Sequence, residues 1–328
     1  MPRTDIKVSV LCTAYNHEKY IRKCLDGFLM QKTSFTFEVL INDDCSTDQT
    51  ANYIREYEKQ YPEIIHGFYQ PMNLYSQKIG IVKTVLLPQA KGKYIAMCEG
   101  DDYWSDPLKL QKQFDAMEHH LECNICTHRV AMMNENGEMT GGHIPDVHIQ
   151  EGVLSSERVL QEMAKDYSFH TSSFFLRADL FRDYWAADLD FRKKSDVGDG
   201  PIIFYYASLG NMYYLPEDMS CYRIGSIGSW GSRTVGEKRK LHHRRMISSI
   251  ESFDKYSNYR FTEILKDYIL RHDLPVLQYD CTYSKLLESK YHKYFPNLPL
   301  KYRACAYLDK LFPVAFRYFL GKKRKRES

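Results

Sequence analysis

No stretch of about 18 consecutive apolar residues, the length a membrane-spanning helix needs, occurs anywhere in the 328 positions of the chain. Met1 to Lys7 lead directly into a strand pattern, without the apolar segment of an export signal. The protein is therefore expected to be cytoplasmic, neither secreted nor membrane-spanning. A large charge imbalance is also missing. The 45 Lys and Arg against 42 Asp and Glu leave a formal net charge of +3, so overall electrostatics give no reason to expect nucleic acid as a partner. The nine cysteines are odd in number and scattered through mostly apolar stretches, which suits a reducing compartment rather than a disulfide framework. Cys123, Cys126 and His128 have a metal-like spacing, but no second clustered pair follows to close a four-ligand zinc site. There is no internal repeat, and no low-complexity tract before the basic residues at the end.

What is present is a long, aromatic-rich chain, with 26 Tyr and 17 Phe, sufficient for one large domain or two. Its first half alternates strand and helix patterns. Strands are expected at Lys7 to Cys12, Phe37 to Asn42, Ile64 to Tyr69 and Lys93 to Cys98. Between them, Tyr20, Ile21, Cys24, Leu25 and Phe28 recur at helical spacing, and helices are expected at Thr50 to Gln60 and from about Ser76 to Ala90. Asp106 and Pro107 begin another helix with Leu110, Phe114 and Met117 on its inner face. Such repeated units indicate an α/β fold with a mostly parallel sheet covered on both faces. Beyond Glu122 the pattern loosens into a strand at Ile125 to Met133, a turn at Asn134 to Gly137, a polar stretch with Gly141 and Gly142, a helix near Ser155 to Lys165 and a strand at Ser172 to Arg177. From about Thr234 the chain is rich in Lys, Arg and Tyr and reads as helical.

Two strand patterns end in acid. Lys93 to Cys98 runs into Glu99, Asp101 and Asp102, and Phe37 to Asn42 runs into Asp43 and Asp44. Carboxylates so close together repel one another and resist desolvation, so a shared cation accounts for them better than a core does. Oxygen ligands at a strand's carboxyl end suit Mg2+ or Mn2+, often with phosphate completing the shell. A solvated acidic turn is the alternative. In open α/β sheets ligands lie beyond the carboxyl ends of parallel strands, so the two clusters can line one crevice.

These residues, in this order, resemble glycosyltransferase family 2. Val8 to Asn16 resembles the family's opening strand and loop, Asn42 to Asp48 its nucleotide-binding turn, and Glu99 to Asp102 its metal-binding acidic motif. Asp199, within Val197 to Pro201, stands where the family places its catalytic base, and Tyr222, Arg223 and Gly225 to Trp230 resemble an acceptor-side element. The resemblance spans roughly residues 6 to 232. It implies a GT-A fold, with a Rossmann-like sheet flanked by helices and a C-terminal helical extension. The division it implies is a catalytic domain over 1–232, with a nucleotide-sugar half to about 122 and an acceptor half from 123, then a helical extension over 233–328 with a basic tail. The activity implied is metal-dependent, inverting transfer from a nucleotide sugar, expected to be a UDP-sugar, to a saccharide or lipid-linked saccharide of a bacterial surface polysaccharide.

By the same resemblance Asp101 and Asp102 would hold Mg2+ or Mn2+. Glu99, Asp43, Asp44, Thr13 and Tyr15 would face the donor, Arg223 its diphosphate, and His170, Ser226 and Trp230 the acceptor side. Ser46 or Asp48 could equally cap the following helix, Arg223 could serve a structural salt bridge, and Asp196 is the substitute should Asp199 not be the base. Glu99 stands where many relatives have Asp, and Gly198 where they have Glu. Two other readings stay open: a silent nucleotide-sugar binding module, and a nucleotidyltransferase, although Thr13 to Asn16 offers neither the glycine nor the lysine of a phosphate loop. At the far end, apolar Leu311 to Leu320 precedes basic Gly321 to Arg326, a combination that fits either peripheral contact with an anionic membrane at its inner face or a docked terminal helix.

Overall fold

The computed structural model describes residues 5–165, 169–225, 235–316 and 318. The chain divides into two compact units, residues 1–189 with 197–233, and residues 190–196 with 234–328.

Among the described residues the first unit is built on a ten-stranded sheet. Its parallel half comprises β1 (Ile6–Ala14), β2 (Thr36–Asp43), β3 (Ile65–Tyr69) and β4 (Tyr94–Glu99), ordered β3-β2-β1-β4. Val8, Val10, Cys12, Val39, Ile41, Ile65 and Ala96 are fully buried in these strands. Near-continuous apolar runs of this kind are what a sheet covered on both faces requires. α1 (Ile21–Leu29) contributes Ile21, Cys24, Leu25 and Phe28 to the same core, and α2 (Thr50–Gln60) contributes Ile54 and Tyr57.

The rest of the unit comprises β5 (Tyr103–Trp104), α3 (Lys109–His119), β6 (Cys123–Met133), β7 (Met139–Ile144), β8 (Gly152–Leu154), α4 (Ser156–Lys165), β9 (Phe175–Arg177) and α5 (Ala178–Ala186). After α6 (Asp190–Lys194), which belongs to the second unit, α7 (Asp199–Leu209) and β10 (Asn211–Arg223) complete it. β9 lies antiparallel between β4 and β6, and β10 pairs parallel with β6. β1 to β4, β6 and β10 therefore all point one way, and their carboxyl ends lie at one end of the sheet. The mostly parallel α/β sheet expected from the sequence is the architecture found.

Several segments differ from the expectations. The helix expected from Ser76 to Ala90 is broken into short turns at Tyr75–Gln77, Val82–Leu86 and Leu87–Gln89. Lys78 takes a left-handed φ of 61° ahead of Gly80, and Pro88 removes a donor, so the ladder cannot run through. The polar stretch around Gly141 and Gly142 is the strand β7, paired only with β6; an exposed edge needs no apolar alternation. The long strand β10 was not anticipated. Its register shifts between Leu215 and Ser220, after which the period-two pattern no longer reads as one strand.

α1 meets β5 unusually closely. A Cβ on Gly27 would fall 2.8 Å from the Trp104 carbonyl oxygen, and the rings of Phe28 and Trp104 meet edge to face at 4.7 Å. Trp104 thereby anchors the chain just past Asp101 and Asp102.

The second unit is helical, with α6 packed beside α8 (Glu237–Tyr256), then α9 (Thr262–Asp280) and α10 (Leu300–Leu311). Leu277, Tyr283, Leu286, Tyr291, Leu298 and Ala306 form a core of their own. Among the described residues no helix is long and apolar enough to cross a membrane.

The fully buried Lys109 places Nζ 4.0 Å from the centroid of the Trp104 ring and donates to Gln113 Oε1 at 2.7 Å. Burial pushes its ammonium down from 10.5 to about 7. Between those values the unfolded chain carries the proton and the folded chain does not, so this group makes stability rise with pH across the window. Lys109→Met should be more stable than the parent at pH 7, by on the order of a few kcal/mol, and its advantage should shrink towards pH 10. Urea denaturation across that range checks this; a pH-independent difference would refute it.

Candidate functional site

The register pairs Thr13 with Glu99 and Ala14 with Asp43, so β1, β2 and β4 end level with one another. Beyond β4 the backbone folds into a turn, in which the Gly100 amide donates to the Thr13 carbonyl at 2.9 Å and the Asp102 amide to the Glu99 carbonyl at 3.1 Å. Strand pairing thus holds Glu99, Asp101 and Asp102 together, beside Asp43.

Asp102 is buried, and its Oδ1 accepts the Arg223 amide at 2.8 Å while His170 Nε2 stands 3.9 Å from Oδ2. Burial, then the charges of Asp101 and Glu99, hold its carboxyl well above the usual range. Glu99 is half-buried and is pushed up to about 8 by desolvation and by Asp101, with Asp199 adding to the rise. The Tyr222 phenol is raised by burial and then by Asp102, Asp101, Glu99 and Asp199. Residues from both halves of the unit therefore share one negative field. Asp199 is the first residue of α7, where its Oδ1 accepts the Gly200 amide at 2.7 Å.

Asp43 is 3% exposed; Oδ2 accepts the Ser46 amide at 3.2 Å, and Oδ1 is buried with no hydrogen-bond partner among the described residues. Glu99 Oε2 and His17 Nδ1 are buried in the same condition. Unpartnered buried polar atoms are costly. Two of the three are carboxylate oxygens, on Asp43 and Glu99 at the ends of parallel strands, and they point to a missing partner of positive charge. The donor set is carboxylate oxygen, which fits a hard divalent cation such as Mg2+ or Mn2+.

Other candidates have defined local partners. Asp44 uses both carboxylate oxygens on the Leu74 and Tyr75 amides, at 2.7 and 3.0 Å, and so shapes the loop after β3. Asp48 accepts the Thr50 amide at the start of α2 at 2.9 Å and the Glu18 amide at 3.1 Å. Ser46 Oγ accepts the amide of Asn16, whose φ is 55°. The loops after β1 and β2 are thus laced together. Thr13 is half-buried and Tyr15 is 44% exposed at this rim. His170 comes against Asp102 itself; its Nδ1 lies 2.9 Å from Ser172 Oγ and its ring 4.1 Å from that of Tyr222, and burial pushes it down to about 4, which keeps it neutral. Asp196 belongs to the second unit, with Oδ1 2.7 Å from His242 Nδ1. Ser226 and Trp230 lie outside the described residues.

His17 was missed by sequence reasoning. Its Nε2 lies 4.0 Å from Asp101 Oδ1, and burial lowers its pKa. The only sequence signal is its position just past the end of β1. Tyr222 entered only as part of a motif. Cys123, Cys126 and His128 are buried side chains of β6, and burial pushes both thiols up, away from the thiolate form a metal needs.

Comparison with known proteins identifies relatives of the chain. The family model described as Glycosyl transferase family 2 matches residues 9–185. The Mycobacterium tuberculosis protein Rv1520 is 34% identical over 257 residues, covering 75% of this chain and 67% of its own. The putative teichuronic acid biosynthesis glycosyltransferase TuaG of Bacillus subtilis is 36% identical over 110 residues, covering 34% of this chain and 41% of its own. A crystal structure of Staphylococcus aureus TarS in complex with UDP-GlcNAc superposes with a TM-score of 0.59 at 17% identity, over 98% of this chain and 93% of that one. TarS is a poly(ribitol-phosphate) β-N-acetylglucosaminyltransferase, 32% identical over 168 residues that cover 51% of this chain and 28% of its own.

Arg223 holds the acidic turn in place. Only 4% exposed, it donates from Nε to the Asp101 carbonyl at 3.1 Å and from Nη1 to the Asn134 and Glu135 carbonyls at 3.2 and 3.0 Å, and it stacks 4.1 Å from the centroid of the Tyr20 ring. A lysine cannot span these acceptors in one plane. Arg223→Lys should lose about 2 kcal/mol of stability, read by chemical denaturation, with faster amide exchange at position 223. A variant as stable and as protected as the parent would overturn this role.

Proposed function

The chain belongs to glycosyl transferase family 2 and is a glycosyltransferase with a GT-A fold, and we propose that it transfers a sugar, with inversion, from a UDP-sugar to a hydroxyl of a saccharide or lipid-linked saccharide in bacterial surface polysaccharide synthesis. The observation that carries this reading is the common field of Glu99, Asp101, Asp102 and Asp199 at the carboxyl end of the parallel strands, next to Asp43. The roles of TarS and TuaG support the polysaccharide setting, and the complex of TarS with UDP-GlcNAc supports a UDP-sugar donor.

Asp101 and Asp102 would hold Mg2+ or Mn2+, with Glu99 available to the cation or the ribose. When bound, such a cation neutralises charge on the departing diphosphate. The protein's own residues would do the rest. Asp43, Thr13 and Tyr15 would face the nucleoside, and Asp44 and Arg223 would serve it by fixing the loops around it. Asp199 would take the proton from the acceptor hydroxyl as that oxygen attacks opposite the diphosphate. Its place at the first residue of α7 suits a base, since the helix N-terminus favours the ionised carboxylate. His170 and Tyr222 would border the acceptor side; neutral imidazole beside Asp102 can accept or donate a hydrogen bond without adding charge.

The C-terminal segment would lie against the anionic inner face of the membrane. Leu311, Phe312 and Val314 are 67%, 61% and 83% exposed, and the sequence beyond is basic. In liposome co-sedimentation, full-length protein should pellet with anionic vesicles more than a chain ending at Phe312; equal pelleting would dispose of the contact.

The catalytic reading is tested by thermal shift against nucleotides and nucleotide sugars, with and without Mn2+, followed by turnover of the stabilising donor. UDP should stabilise the protein, and more so with the cation. Asp102→Asn should lose the cation-dependent increment. Asp199→Asn should keep it while turnover falls by about 10²–10⁴-fold. Indifference to every nucleotide would sink the proposal, and unchanged turnover in Asp199→Asn would remove that residue as base.

A further inference from the structure

A second cluster of metal-ligating side chains lies in the helical unit, away from any strand end. His242 and His243 are neighbours on α8, and His272 comes from α9, which packs against α8. One ring nitrogen from each can be chosen so that all three lie within 4.8 Å of one another. His242 and His272 are each 1% exposed, and His243 is half-buried. The Nδ1 atoms of His243 and His272 face each other at 3.0 Å. Ligand nitrogens about 2.0–2.1 Å from a tetrahedral zinc ion stand a little over 3 Å apart, so that pair already has nearly the separation a shared ion sets.

We propose that His242, His243 and His272 bind a transition-metal ion of the zinc class, with Asp196 as the residue that orients His242. Asp196 Oδ1 lies 2.7 Å from His242 Nδ1, which leaves Nε2 as the ligand atom and gives the carboxylate–histidine–metal arrangement that fixes ring orientation and raises ligand basicity. Three imidazoles leave a fourth position for water or another donor. The donor type sets the selectivity. A hard cation such as Mg2+ or Ca2+ needs several anionic oxygens, whereas borderline ions gain from imidazole itself. The site accordingly differs in chemistry from the acidic turn of the first unit. An ion held there would tie α9 and the Asp196 segment to α8, closing the helical unit around its own histidines.

The test uses the full-length protein stripped with a chelator and titrated with Co2+ as a spectroscopic stand-in, then with Zn2+. Expected are visible d–d bands of tetrahedral intensity that saturate at one equivalent and bleach on addition of Zn2+. Zn2+ should also raise the thermal midpoint by several degrees. Asp102→Asn should behave like the parent in both assays, and His243→Gln, at the half-buried position, should lose the bands and the shift. Absence of stoichiometric bands in the parent would overturn the proposal, leaving a buried trio of hydrogen-bonded histidines. So would a thiolate-to-cobalt charge-transfer band, which would assign the ion to cysteine, or retention of full binding by His243→Gln.

Discussion

Repulsion among buried carboxylates is the constraint around which the first unit is organised. Like charges shielded from water repel more strongly than in bulk solvent, and Glu99, Asp101 and Asp102 stand within one turn. Burial and mutual charge displace both Glu99 and Asp102 towards the protonated form. Only a rigid surround can keep such groups together. Here it consists of the ladder that levels Thr13 with Glu99, the backbone turn closed on Glu99, the anchor of Trp104 against Gly27, and Arg223, which donates to the turn from backbone and side chain alike. Each of these holds the acids without neutralising them through a side-chain ion pair. Arg223 spends its guanidinium hydrogen bonds on carbonyls, which leaves the carboxylate oxygens to be satisfied by something else.

The same economy appears in the neighbouring loops. Asp44 and Asp48 belong to one acidic stretch with Asp43, yet they bind backbone amides with both oxygens, whereas Asp43 keeps Oδ1 without a partner among the described residues. A carboxylate saturated by amides is part of the scaffold, and one left partly unsatisfied at a strand end is available to a ligand. Residue type alone could not separate the three. For Asp44 the distinction depends on where the loop after β3 returns, and that loop departs from the helix expected there because Lys78, Gly80 and Pro88 interrupt it.

Much of the parallel half could be read before the structure because its strands are buried on both faces, so apolar runs and acidic ends stand out against charged helices. The second half was less legible for physical reasons. β10 shifts register midway and contains Pro216; β7 is an exposed edge; and α7 is buried along almost its whole length from Gly200 to Ala207, so no polar face marks its period. At the acidic end, proximity in sequence revealed Glu99, Asp101 and Asp102. The approach of Asp199 rested on family resemblance, and nothing local pointed to His17. Contacts across the sheet arise from topology, and topology is what a single sequence encodes least directly.

The histidine cluster illustrates the same limit from the opposite side. Spacing drew attention to Cys123, Cys126 and His128, which lie close in sequence but are interior residues of one strand. His272, by contrast, is separated from His242 and His243 by a helix end, a turn and most of another helix, so no spacing rule could have joined them. What joins them is antiparallel packing of α8 on α9, with a carboxylate from the segment beside α6 turned onto His242. One chain thus presents two sets of donors that differ in chemistry: carboxylate oxygen at the ends of parallel strands, and imidazole nitrogen within a helical unit. Because the donor types differ, a hard cation that suits the carboxylates is poorly matched to the imidazoles.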